Sequence, residues 1–256
     1  MAAAPVPPSV ESSAPPPMSE PARIINTFIA PSKTFTDLRA RAKWWSWVVP
    51  WLIIAVVSII FAYAVGQKVG FAKAGDNVLQ TRPKQYDRIQ AMKPADRDKT
   101  MQAVEKQTMY GAYTFPVLHI VLLLIVSAAL LATFTFLAGA RVTFAQVLAV
   151  VTYASLPAAL RYLLATAALF AGISPDNFNI QNPVATNLGA LFSATDNPVL
   201  YTAGSAIDIF GIWTLVLTAI GFTCISKAKL GPALTIVFAW YIAFMAVIVG
   251  ITALAS

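Results

Sequence analysis

Five apolar runs, each about as long as a bilayer is thick, decide what this chain can fold into. They extend from about Trp45 to Gly66, Phe115 to Ala138, Phe144 to Gly172, Ala203 to Ile225 and Gly231 to Leu254. At a rise of about 1.5 Å per residue, about 20 apolar residues cross the roughly 30 Å hydrocarbon layer. Within that layer no water meets an unpaired backbone group, so a run must satisfy its own amides and carbonyls as a helix or join a closed barrel. Ala and Leu dominate the runs and strand-like alternation is scarce, which favours helices. The expected fold is all-α, a polytopic helical membrane bundle with five transmembrane helices. Composition agrees: 11% of the residues are charged, where a soluble domain carries about a quarter.

Three regions surround or join these runs. Residues 1–22 are rich in Pro, Ala and Ser and are expected to form a disordered tail, with neither the basic start nor the apolar stretch of a signal peptide. Insertion is then expected to begin with the first span. Residues 23–44 carry Ile24, Ile25, Phe28 and Ile29 at helical spacing, then Pro31 and Ser32 at the start of a second short helix through Leu38. Arg39, Arg41 and Lys43 follow, beside Trp44, Trp45, Trp47 and Trp51, a pattern that marks a headgroup interface. This segment is expected to lie on the membrane as a cytoplasmic amphipathic foot. Residues 45–256 form the transmembrane domain, interrupted by a hydrophilic loop, 67–114. Pro94 is expected to open a helix in that loop, capping the bundle with a solvated face of mixed charge.

The net charge of +7 does not point to nucleic acid, because most Lys and Arg flank the spans, where they bind anionic headgroups. The expected partners are therefore the bilayer with its anionic headgroups and an unknown protein or a second copy. Placing the N-terminus inside puts Arg141, Lys227 and Lys229 in the cytoplasm and leaves the Lys/Arg-free stretch 173–202 outside. Loop 67–114 opposes this orientation with nine basic residues, set against five acidic ones. Within 173–202, residues 184–192 are apolar but too short to span, and suggest an interfacial or re-entrant helix.

Few residues could carry chemistry. Arg161 falls near the middle of the third run, where a charge costs about 2.5 to 3.5 kcal/mol on insertion and needs water or a partner. Asp208 is the acidic residue inside a run, about one and a half turns into the fourth at roughly 3.6 residues per turn. Antiparallel third and fourth spans could bring the two together, as a proton- or substrate-handling pair or as a packing clamp. Pro157, one turn before Arg161, is expected to kink its helix. His119 reads as a satisfied or interfacial histidine, and Cys224 as a small packing residue. No phosphate loop, nucleophile motif or metal-ligand set occurs, so no catalytic, cofactor-binding or metal residue is assigned and enzyme chemistry is not expected.

Three stretches in order carry a family resemblance: Phe28-Ile-Ala-Pro-Ser-Lys-Thr-Phe35; Val142-Thr-Phe-Ala-Gln146 leading to Thr152-Tyr-Ala-Ser-Leu-Pro157; and Asp208-Ile-Phe-Gly-Ile-Trp-Thr-Leu-Val-Leu-Thr-Ala-Ile-Gly221. With five spans, the chain from about Arg23 onward resembles the Yip (Ypt/Rab-interacting protein) family, and in 182–188 its bacterial branch. The resemblance implies a cytoplasmic N-terminus, a C-terminus outside and, for a bacterial member, the cytoplasmic (inner) membrane. Eukaryotic members act with Rab-type GTPases and vesicle machinery, and no catalytic residues carry over. A non-enzymatic scaffold or membrane-organising protein is the leading expectation. The alternative is a small transporter or permease component using Arg161 and Asp208, which would need a polar cavity that reaches the midplane and contains Arg161.

Overall fold

The computed structural model describes residues 16–255, so the expected disorder of residues 1–15 lies outside the described residues. Helix starts sooner than the sequence suggests. α1 (Glu20–Ile29) takes in the last three residues assigned to the tail, because the Ser19 hydroxyl accepts from the Ala22 amide and Pro21 fits the first turn. Ala30 turns the chain, and Pro31 opens α2 (Pro31–Arg41). The tryptophan-rich turn leads into α3 (Val48–Lys68), the first span.

The hydrophilic loop folds as α4 (Phe71–Gln80), α5 (Pro83–Gln90) and the first half of α6 (Pro94–Ala138). The expected loop helix and second span are one unbroken helix of 45 residues, about 67 Å long at 1.5 Å per residue. Pro116 lies inside it and removes one amide, which leaves the Ala112 carbonyl without its helical donor. Gly139, at φ 61°, supplies the left-handed residue that ends the helix, and the Ala140 amide donates back to the Phe134 carbonyl.

The third run divides into α7 (Phe144–Ala154) and α8 (Pro157–Phe170). Thr143 and Gln146 form a reciprocal capping box at its start. The break at Ser155 and Leu156 falls directly before Pro157, which cannot donate to the preceding turn. Residues 184–192 do not form the expected re-entrant helix. Asn187 pairs antiparallel with Asp208 in an isolated bridge, and only a short 3-10 turn, Leu188–Leu191, forms. The fourth run is also divided, into α9 (Pro198–Ser205) and α10 (Ile209–Ile225), before α11 (Leu230–Ala255). Among the described residues no strand forms. α3, α6, the α7–α8 pair and α11 are long and apolar enough to cross a membrane, and α10, with 17 residues, is a shorter apolar helix. The chain is a helical integral membrane protein.

Contacts sort the molecule into two ends. At the foot end, Phe35 and Leu38 of α2 are wholly buried against Val147, Val150 and Phe222. The foot's second helix therefore packs on protein, where lipid contact was expected. On α1, Phe28 meets Trp213 edge-on at 5.5 Å, while Ile25 and Ile29 stay exposed. α10 closes on this core at Gly221, where a Cβ would overlap Val150 Cγ1 and crowd Phe35. At the far end, Phe61, Val65, Ala165, Leu169 and Phe178 form a second cluster beside α4. Asn77 of α4 donates to the carbonyls of Pro175 and Phe178, both at 2.7 Å, and Lys73 pairs with Asp176 at 2.7 Å. The hydrophilic loop and residues 173–208 thus share one end, and the foot, Arg141, Lys227 and Lys229 share the other.

Candidate functional site

A buried ionic network fastens the foot to the spans. Arg23 on α1 donates from Nε to Asp37 Oδ2 at 2.8 Å, and a second guanidinium nitrogen lies 2.7 Å from the same oxygen. Asp37 also accepts from Arg41 at 2.7 Å, one turn along α2. Glu20 accepts from Arg23 and from the hydroxyl of Tyr153, a wholly buried residue of α7. The Thr27 and Thr34 hydroxyls both donate to the Arg23 carbonyl. Burial works against the Asp37 carboxylate, yet the hydrogen bonds from Arg23, the Met18 amide and Arg41 outweigh it and hold its pKa below the usual carboxylate range. Burial likewise opposes the charge on Arg23, and Asp37 and Glu20 outweigh it and hold the guanidinium pKa above its ordinary value. Sequence spacing gave no sign of this network. Arg23 and Asp37 sit on different helices, and only the turn at Ala30 and Pro31 brings them face to face.

The residues singled out from sequence do not meet as a pair. Asp208 is not inside a span helix. It is the N-cap of α10, where its carboxylate accepts from the Gly211 amide at 2.9 Å and the Thr186 hydroxyl at 2.6 Å. Those bonds consume both its oxygens and tie α10 to the preceding loop. The loop is itself cross-braced by reciprocal amide bonds between Asn182 and Asn187. Arg161 makes one long hydrogen bond, 3.4 Å to the Gln181 carbonyl, and its Nε is buried without a partner. Among the described residues it forms no ion pair. His119 stacks on Phe115 at 5.4 Å. Among the described residues no group of three or more His, Cys, Asp or Glu is placed to hold a metal.

A cavity of about 570 Å3 opens at the far end between α3, α4, α6 and α8. Its inner wall is aromatic: Tyr162 packs on Phe61 and on Phe115, each at 5.4 Å. Its rim carries Arg82, Gln85 and Gln107, all exposed. None of the lining residues belongs to the foot-end core, and Arg161, next to Tyr162 in the chain, is not among them.

A family model described as the Yip1 domain matches residues 25–252. The chain belongs to the Yip1-domain family. Within the Yip1 domain fall both helices of the divided third run, the Asp208 cap and the whole cavity. The ionic network straddles its boundary, since Asp37 and Tyr153 lie inside the matched segment and Glu20 and Arg23 just before it. No curated protein and no solved structure matches the chain.

Proposed function

We propose that this Yip1-domain protein is a non-enzymatic membrane scaffold that presents its foot, α1 and α2, as a fixed cytoplasmic platform. The observation that carries the reading is the buried Arg23–Asp37–Glu20–Tyr153 network, which joins the foot to a span by side chains rather than by a flexible linker. A platform held this way keeps exposed Ile25 and Ile29 in a defined position for a partner protein or a second copy. The transporter reading fares less well. The far-end cavity is lined by neither Arg161 nor Asp208, and these two residues hydrogen-bond to different partners.

Orientation with the N-terminus inside a bacterial-type cytoplasmic membrane and the C-terminus outside is supported by the charge distribution. Among the described residues the foot end holds eight Lys and Arg against Glu20 and Asp37, whereas the far end has ten, Arg161 included, against eight carboxylates. The short links carrying Arg141, Lys227 and Lys229 weigh most, because short loops obey the positive-inside bias most closely.

The test is site-specific photocross-linking in the native membrane, with the reactive side chain at Ile25 or Ile29. A scaffold gives discrete protein adducts at these positions, weakened by Asp37→Ala and absent from a lipid-facing control at Ile242. Adducts with lipid alone, together with solute flux in reconstituted vesicles that Arg161→Ala abolishes, would favour the transporter.

A further inference from the structure

We propose that the far-end cavity binds a single-chain anionic amphiphile, with its phosphate or other anionic group at Arg82 and its chain against the aromatic inner wall. This rests on the cavity alone and stands whether or not the foot recruits a partner.

The volume of about 570 Å3 lies within the roughly 300 to 1,000 Å3 of sites that enclose small ligands. Its lining separates by character. Phe61, Phe115 and Tyr162, with Val78 and Leu79, give an apolar depth. Arg82, Gln85 and Gln107 give a polar mouth, so a ligand fitting both needs a chain and a polar head.

Charge sets the sign of that head. The surrounding loop carries five acidic residues, yet none of them lines the cavity, and Arg82 is the charged residue that does. Among the described residues Arg82 makes no ion pair, so its five donors face solvent or ligand. Arg161 does not line the cavity, but it donates to the carbonyl of Gln181, which does, and its buried Nε has no acceptor. A guanidinium without an ion pair at the mouth, and a second one bonded to a lining residue, favour an anion over a neutral or cationic head.

The sequence also leaves the entrance unobstructed. Gly111 lines the cavity on α6, and a Cβ built there meets nothing within 4 Å. A larger side chain at that position would enter the open space without displacing a neighbour, which supplies a clean test. Gly111→Leu should fill the site while raising helix propensity at an exposed glycine.

Full-length protein in neutral detergent is titrated with lysophosphatidylglycerol, lysophosphatidylcholine and inorganic phosphate, and binding is read by native mass spectrometry and by thermal shift. One lysophosphatidylglycerol should bind, about tenfold more tightly than lysophosphatidylcholine, and Arg82→Gln should remove most of that preference, as expected for loss of a charge-assisted hydrogen bond. Gly111→Leu should abolish binding with an unliganded Tm equal to or above that of the wild type. Undiminished binding in Arg82→Gln overturns the proposal, as does equal affinity for both lysolipids. Equal stabilisation by inorganic phosphate alone also overturns it and assigns the site to a free anion. Should Gly111→Leu not fold, the Arg82→Gln comparison decides.

Discussion

Arg23 and Asp37 stand 14 residues apart on two helices, each about 8% exposed, and meet through two nitrogens on one carboxylate oxygen. This contact turns an amphipathic segment into part of the bundle. Removing Asp37 leaves the buried Arg23 with the part-exposed Glu20 as its remaining carboxylate. Asp37→Ala is therefore expected to cost about 1.5 to 3 kcal/mol of foot-docking stability, the range for loss of a charged hydrogen bond. Limited proteolysis between residues 30 and 47 in detergent would register it as accelerated cleavage, with the spans left intact.

The same pair fixes a pH dependence. The folded Asp37 pKa lies below its ordinary value of 3.8. Its stabilisation is therefore present above that unfolded value and is lost as pH falls through the lower, folded one. The raised Arg23 pKa works the other way: its contribution is complete below the ordinary guanidinium value and is lost only as pH rises through the still higher folded one. Foot docking should thus be constant from about pH 6 to about pH 9 and give way only in strong acid. A midpoint near neutrality in the proteolysis assay would contradict this assignment.

Tyr153→Phe removes the hydroxyl that Glu20 accepts while leaving the ring and its packing in place. Glu20 keeps Arg23, so the loss should be modest, about 1 kcal/mol. It should also be smaller in an Arg23→Ala background, because Arg23 holds Glu20 in reach of the hydroxyl. Denaturant titration of the two single variants and the double variant measures that coupling.

Glycines on two helices should respond in opposite directions. Gly221 lets α10 close on Val150 and Phe35, so Gly221→Ala is expected to cost about 1 to 3 kcal/mol through overpacking. Gly111 faces open space, and Gly111→Ala should gain up to about 1 kcal/mol from helix propensity. Thermal unfolding of both variants checks the contrast.

Arg161 and Asp208 should behave as independent residues. Arg161 is tied to Gln181, and Asp208 to Thr186 and Gly211, with no shared hydrogen-bond partner. The stability losses of Arg161→Ala and Asp208→Ala should add to within about 0.5 kcal/mol in the double variant. A larger coupling would restore the ion pair that the sequence suggests.

The contrast between what sequence discloses and what it hides follows from range. Apolar length alone exposes the spans, because the hydrocarbon layer demands about 20 residues whatever the fold around them. Pro157 is legible because its effect is local, whereas the Thr143–Gln146 capping box, an equally local signal, is disclosed only by the structure. The continuity of α6 through Pro116 is not. A proline near the edge of an apolar run reads as a boundary, yet the amide it lacks costs only one bond in a helix of 45 residues. Asp208 misleads for a related reason. Apolar residues on both sides place it inside a span, whereas its short side chain is used as a cap where the helix restarts. The Arg23–Asp37 contact and the cavity depend on where separate helices meet, which no periodicity reports.

Hydrogen exchange of α1 and α2 in lipid nanodiscs measures foot docking most directly. Amides of 32–40 should exchange as slowly as those of α7, and Asp37→Ala should release them while α7 stays protected. Rapid exchange of the wild-type foot, at the rate of an isolated interfacial helix, would show that it is not fixed to the bundle and would contradict the scaffold built upon it.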